Sequence, residues 1–172
     1  AETIQALSPQ CVIPLMWEPW EFRPSELDLD ACVRQGIKVY GTNESDPRLR
    51  TMDYIGYTVL YHLLDNKRTP HSATIRVVGN EEFTIPILNV LRNNNYPVSP
   101  LEASTSIEPN DVLVIAEHRN PALVVGTDAI VPSNALCESN LIIHIAGNVD
   151  FSAVPCKTIP PKPADFGFMS FT

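Results

Sequence analysis

Three short apolar runs constrain this chain more than any other feature: Ala73-Thr-Ile-Arg-Val-Val78, Asp111-Val-Leu-Val-Ile-Ala116 and Asn140-Leu-Ile-Ile-His-Ile-Ala146. Each is too short for a buried helix and too continuous for a strand with one wet face. Runs of this kind belong to a parallel sheet covered on both sides. Tyr96-Pro-Val-Ser99 adds a fourth, shorter strand, and Glu108-Pro109-Asn110 marks a turn before the run that starts at Asp111.

The segments between the runs supply helical cover. Leu27-Asp-Leu-Asp-Ala-Cys-Val-Arg-Gln35 is amphipathic, and Gly36 stops it before the strand Ile37 to Tyr40. Asp46-Pro47 predicts a helix start, with Asp46 as cap and proline at the first helical position. Met52, Ile55, Val59, Leu60, Leu63 and Leu64 then recur at helical spacing up to the closing Lys67-Arg68. Thr84 is expected to cap a further helix from Ile85 to Arg92, placing Pro86 in its first turn. From Pro155 onward, Lys157-Thr-Ile-Pro-Pro-Lys-Pro reads as an extended tail that adds no core structure, although Phe166, Phe168, Met169 and Phe171 could dock in a groove. No internal repeat is visible. The resulting expectation is a doubly wound α/β domain: a segment over 1–45, the main domain over 46–154 and a Pro-rich tail over 155–172.

Composition narrows the function classes. A chain of 172 residues with 44% apolar content can build one core, and its net charge of −8 offers no basic field for a duplex or an anionic membrane. Nucleic acid and membrane partners are not expected. No apolar run approaches the ~18 residues of a membrane span, and the start at Ala1-Glu-Thr-Ile-Gln5 lacks the blocks of a signal peptide, so the expectation is a soluble cytoplasmic protein. Cys11, Cys32, Cys137 and Cys156 are widely spaced, with no metal-ligand pattern beside them, and are expected to be free thiols; no metal site is expected.

The order "LDLDACVRQGIKVYGTNESDP", a helix, "ATIRVVGNEEF", "DVLVIAEHRNP" and "NLIIHIAGNVDFSAV" resembles the D-isomer-specific 2-hydroxyacid dehydrogenase family. The resemblance implies a Rossmann-like domain preceded by the end of a substrate domain. It also implies that the helix after Pro47 is the one that commonly packs in that family's dimer interface, so a homodimer is expected. A nicotinamide cofactor would lie on the turn after Val78.

Two departures then govern the function. The dinucleotide turn G-x-G-x-x-G uses its glycines for the bend, for close approach to pyrophosphate and for helix packing. Here Gly79 matches the first position, while Glu81 and Thr84 occupy the other two. Two like charges 4 Å apart at an effective dielectric near 20 cost about 4 kcal/mol, so Glu81 or Glu82 would oppose a phosphate. The strand Tyr96 to Ser99 ends in Pro100, and Glu102 falls beyond the place of a ribose-binding acid. The family's substrate-holding arginine would precede the glycine of Ile145-Ala146-Gly147-Asn148 and is missing. Its acid and histidine partners belong further along than this sequence runs, so none of the family's catalytic residues maps here.

The candidate ligand site is the lip at the carboxyl ends of the strands. It gathers Gly79, Asn80, Glu81 and Glu82 from one turn, Glu117, His118 and Arg119 from a second, and Gly147 with Asn148 from a third. Arg119 suits a carboxylate and a glutamate suits an ammonium, so an amine-bearing or zwitterionic small molecule fits this lip. The plainer alternative has these as solvated loop ends, with Arg119 pairing with Glu117 or Glu81. His118 is a candidate general base without an identified partner, and His144 reads as a hydrogen-bonded core histidine. His62 is expected in packing or an interface and His71 in a loop. Glu44, Asp46, Arg48 and Arg50 could form a second wall of the cleft, or simply cap a helix. Trp17, Trp20 and Phe22 read as local packing or an interface patch.

Three functions follow as expectations. The leading one is a cofactor-free, dehydrogenase-like protein that binds a small molecule or a protein partner at the old cleft. The alternatives are an NAD-dependent oxidoreductase with altered cofactor binding, or one completed by further chain, and a structural subunit that docks through its tail and N-terminal aromatics.

Overall fold

The computed structural model describes residues 2–15, 24–43, 46, 48–102 and 106–171. Trp17, Trp20, Phe22, Glu44 and Pro47 lie outside them. The chain divides into two compact units, Ala1–Arg50 and Thr51–Thr172.

The first unit holds α1 (Glu2–Gln5), β1 (Val12–Pro14), α2 (Leu29–Gln35) and β2 (Lys38–Tyr40). Asp28 caps α2 by accepting from the Ala31 N–H, and Gly36 ends it at φ +77°, a left-handed position that glycine takes at no steric cost. The chain then returns as β2, parallel to β1. Ile4, Leu27, Ala31, Cys32 and Ile37 form the small core of this unit.

The second unit is a mixed α/β structure built on a five-stranded, fully parallel sheet. Its elements are α3 (Thr51–Asp65), β3 (Ile75–Gly79), α4 (Glu81–Asn93), β4 (Val98–Pro100), β5 (Val112–Ala116), β6 (Leu123–Gly126), β7 (Val131–Pro132), β8 (Leu141–Ala146), β9 (Asn148–Val149) and β10 (Lys157–Ile159). The strand order is β10-β8-β5-β3-β4. Every residue of β5 and β8 is buried, which explains why these segments read as unbroken apolar runs.

Among the described residues, helices cover only one face. α4 lies against β3 and β4, α3 lies against β8, and the two helices pack on each other. Their contact is close because a Cβ on Gly56 would sit 2.8 Å from the Pro86 carbonyl oxygen and 2.7 Å from Val90. The other face is covered by a second parallel sheet, β7-β6-β9, instead of the helices expected between strands. Leu113, Ile115 and Ile142 of the large sheet pack there with Val124, Val125, Val131 and Leu136. The strands of the small sheet have four residues or fewer, too short for a two- or 3.6-residue period to stand out.

Three further expectations are corrected. The helix expected from Pro47 begins at Thr51, and Asp46 instead binds Arg48 through both its backbone N–H and its guanidinium. α4 starts four residues before the expected Ile85, because Asn80 rather than Thr84 is its cap; Thr84 is buried within the helix and Pro86 lies past the first turn. The tail also contributes core structure: Lys157–Ile159 pairs with β8 as the fifth strand before Pro160 ends it. Further along, the Ser170 N–H donates to the Ile145 carbonyl and Phe171 stacks on His62 with ring centroids 4.6 Å apart.

Candidate functional site

At the carboxyl edge of the large sheet, β3 and β5 come very close. A Cβ on Gly79 would stand 2.1 Å from the Ala116 carbonyl oxygen, and φ there is +154°. The glycine is therefore required by the neighbouring strand, whatever the edge binds. Gly147 has φ +142°, and a Cβ there would stand 2.9 Å from the Ile115 side chain, a contact with a side chain rather than with backbone.

The next residue, Asn80, serves two partners. Its carbonyl oxygen accepts from the Phe83 N–H at 3.3 Å, capping α4, and its amide donates to His118 Nδ1 at 2.6 Å. The other ring nitrogen, Nε2, faces Glu82 Oε2 at 3.4 Å. The imidazole is buried and lies against the Phe83 ring with centroids 4.2 Å apart. Burial lowers the His118 pKa, Glu82 works against that shift, and Arg119 adds to it. The ring is thus enclosed, with both nitrogens facing side chains of this cluster.

Glu82 Oε2 is shared. Arg119 Nη2 reaches it at 2.5 Å, so a single carboxylate on α4 joins two consecutive residues after β5. Arg119 Nε also lies 3.3 Å from His118 Nε2. The arginine thus pairs with Glu82, not with Glu117 or Glu81. Glu117 is occupied elsewhere: its Oε1 accepts the backbone N–H groups of Arg119 and Asn120 at 2.8 and 2.9 Å and shapes their turn. Glu81 is exposed at the first position of α4. Asn148 lies in β9 and donates to the Pro121 carbonyl at 2.9 Å, away from the Glu82 cluster in its bonding.

Of the nine residues read as the lip, Asn80, Glu82, His118 and Arg119 form one bonded cluster. Gly79 makes the backbone approach beneath it, and Glu117 holds the turn that carries the arginine. Gly147 and Asn148 serve the backbone of the small sheet and its loop. His144 is fully buried; its Nε2 donates to the Gly147 carbonyl at 3.0 Å and its Nδ1 accepts from Ser170 Oγ at 2.7 Å, as expected of a core histidine. Burial lowers its pKa.

Sequence reasoning missed a cavity of about 330 Å³ beyond the carboxyl end of β4. Leu101, Ile107, Ile130, Val131 and Pro132 give it an apolar wall, and Glu102 adds a carboxylate. Its lining comes from two separate stretches, 101–107 and 130–135, and no local pattern in the sequence brings them together. All four cysteines are free, and burial pushes the Cys156 thiol up to about 11. Among the described residues no group of three or more His, Cys, Asp or Glu side chains could hold a metal, and no helix is long and apolar enough to cross a membrane.

The class defined by these observations is a mixed α/β protein with parallel sheets and a polar cluster at the carboxyl edge of the larger one. No protein-family model, curated protein or solved structure matches the chain.

Proposed function

We propose that the second unit is a Rossmann-like module closed to dinucleotides, and that it takes a small zwitterionic or amine-bearing molecule at the carboxyl edge of its sheet. Numbered along the chain, the large sheet runs 2-1-3-4-5, an order of doubly wound folds whose ligands lie where the winding reverses. That reversal falls between β3 and β5, beneath the Glu82 cluster.

The observation that carries the proposal is the Glu82–Arg119 pair spanning this point. Arg119 is 66% exposed and Glu82 24%, so the pair is accessible and its net worth is small. A ligand carboxylate can take Arg119 while its ammonium takes Glu82, exchanging one ion pair for two. A pyrophosphate meets the opposite situation. One first-turn donor of α4 is already bonded to Asn80, and Glu81 and Glu82 already complement the helix dipole. In this reading the chain is similar in outline to a 2-hydroxyacid dehydrogenase without its cofactor, and its edge serves a small ligand or a protein partner that presents the same two charges.

Calorimetric titration tests this directly. NAD, NADH and a panel of free amino acids would be run against the native chain, an Arg119→Ala variant and a Glu81→Gly/Glu82→Ala double variant. Expected are no heat of binding from NAD with the native chain, and amino-acid binding that Arg119→Ala removes. Tight NAD binding to the native chain would overturn the proposal and restore the oxidoreductase reading.

A further inference from the structure

We infer that the cavity beyond the carboxyl end of β4 is a binding site for a lipophilic primary amine, an aromatic or branched hydrocarbon body of about a dozen non-hydrogen atoms that carries one ammonium. The cavity shares no residue with the Glu82 cluster, and its occupancy does not depend on what that cluster binds.

The site lies within the second unit, where an edge strand of the large sheet ends beside the edge strand β7 of the small one. Its walls are held from behind. The Leu101 N–H donates to the Val77 carbonyl at 2.8 Å, and β7 pairs with β6 through Val131 and Pro132. Leu101, Ile107 and Val131 also pack on the core between the two sheets. Walls fixed before a ligand arrives lose little ordering entropy when it binds. At about 330 Å³ the cavity falls in the range of small-molecule sites. A cavity of about 150 Å³ holds benzene, so this one has room for roughly twice that bulk, two fused rings and a short chain.

The lining sets the chemistry. Leu101, Ile107, Ile130, Val131 and Pro132 present only hydrocarbon side chains. Ile130 keeps 54% of its surface open, and a hydrocarbon body laid across it would take that surface out of water. Ser106 donates its hydroxyl to Glu108 Oε1 at 2.8 Å. Among the described residues, Glu102 is then the polar side chain of the lining left without a partner, and no Lys or Arg lies there to answer its charge. A carboxylate beside an aliphatic wall matches a ligand with a cation at one end and hydrocarbon at the other. An anionic ligand would meet Glu102 unopposed. A nucleobase would bury its hydrogen-bonding edge against hydrocarbon and lose its bonds to water there.

Calorimetric titration with tryptamine, and with skatole as the same ring without the ammonium, tests this assignment. Tryptamine should bind the native chain with a Kd on the order of 100 μM, and skatole more weakly. Glu102→Gln should weaken tryptamine by about tenfold and leave skatole unchanged. Ile130→Lys should abolish tryptamine binding with unchanged urea unfolding, because Ile130 is already half in water. Arg119→Ala should alter neither titration, which separates this site from the Glu82 cluster. No tryptamine binding at concentrations well above that Kd would overturn the inference. So would tryptamine binding that is indifferent to Glu102→Gln or survives Ile130→Lys, and so would adenosine or indoleacetate binding more tightly than tryptamine.

Discussion

The two edges of the large sheet each hold an arginine against a carboxylate, and they differ in every respect that matters. At the carboxyl edge, Arg119 meets Glu82 at 2.5 Å and lies mostly in water. At the amino edge, Arg76 Nε stands 3.7 Å from Asp111, whose side chain is only 6% exposed. That Nε is buried without a hydrogen-bond partner, although Nη1 donates to Ser99. Asp111 is fixed in turn by the Glu108 N–H, and its backbone carbonyl accepts from the Asn140 amide. The shorter pair is the more exchangeable one. Water sets the worth of an ion pair more than distance does, and an edge open to exchange is the one suited to a ligand.

This contrast can be broken in a graded way. Gly79→Ala should cost the most, about 4 kcal/mol, because it combines an unfavourable φ with a backbone collision; urea unfolding measures it. A loss below about 1 kcal/mol would show that the two strands separate easily at this edge. Asp111→Ala, which removes the carboxylate that faces the half-buried Arg76, should cost about 3 kcal/mol in the same assay. The pH dependence comes next. His118 and His144 both have folded-state pKa values held below 6.5 by burial, so the unfolded chain takes up protons that the folded one refuses. Stability should be full above about pH 7 and fall as pH drops below 6.5, by up to about 1.4 kcal/mol per unit for each histidine. His144→Asn should flatten that slope in urea titrations at pH 7.5 down to about 5.5. Arg119→Ala should change stability least, by under about 1 kcal/mol, while altering what the edge binds.

Much of the large sheet was legible because β5 and β8 are buried on both faces, β3 is buried at Ile75 and Val77, and all three leave apolar runs in the sequence. What covers its second face was not legible, since β6, β7 and β9 are shorter than any periodic signal. Asn80 was visible as a lip residue, but its role as helix cap was assigned to Thr84, a residue of the right type four positions too late. The pairing of Glu82 with both Arg119 and His118 depends on the lateral order of β3 and β5, which local pattern does not encode. The strand in the tail was missed because prolines on either side of Lys157–Ile159 dominate its composition.

Those prolines have a further effect on how the sheet ends. Both edge strands, β4 and β10, are three residues long, and proline limits each: Pro97 precedes β4 and Pro100 is its last residue, while Pro155 and Pro160 stand on either side of β10. Proline offers no N–H to an incoming strand, so neither margin presents a long row of donors and acceptors to another chain. A sheet with so apolar an interior would otherwise be a template for fibrous growth. Here the sequence stops its propagation on both sides, and the protein can carry buried, strongly β-forming segments without passing that pattern to its neighbours.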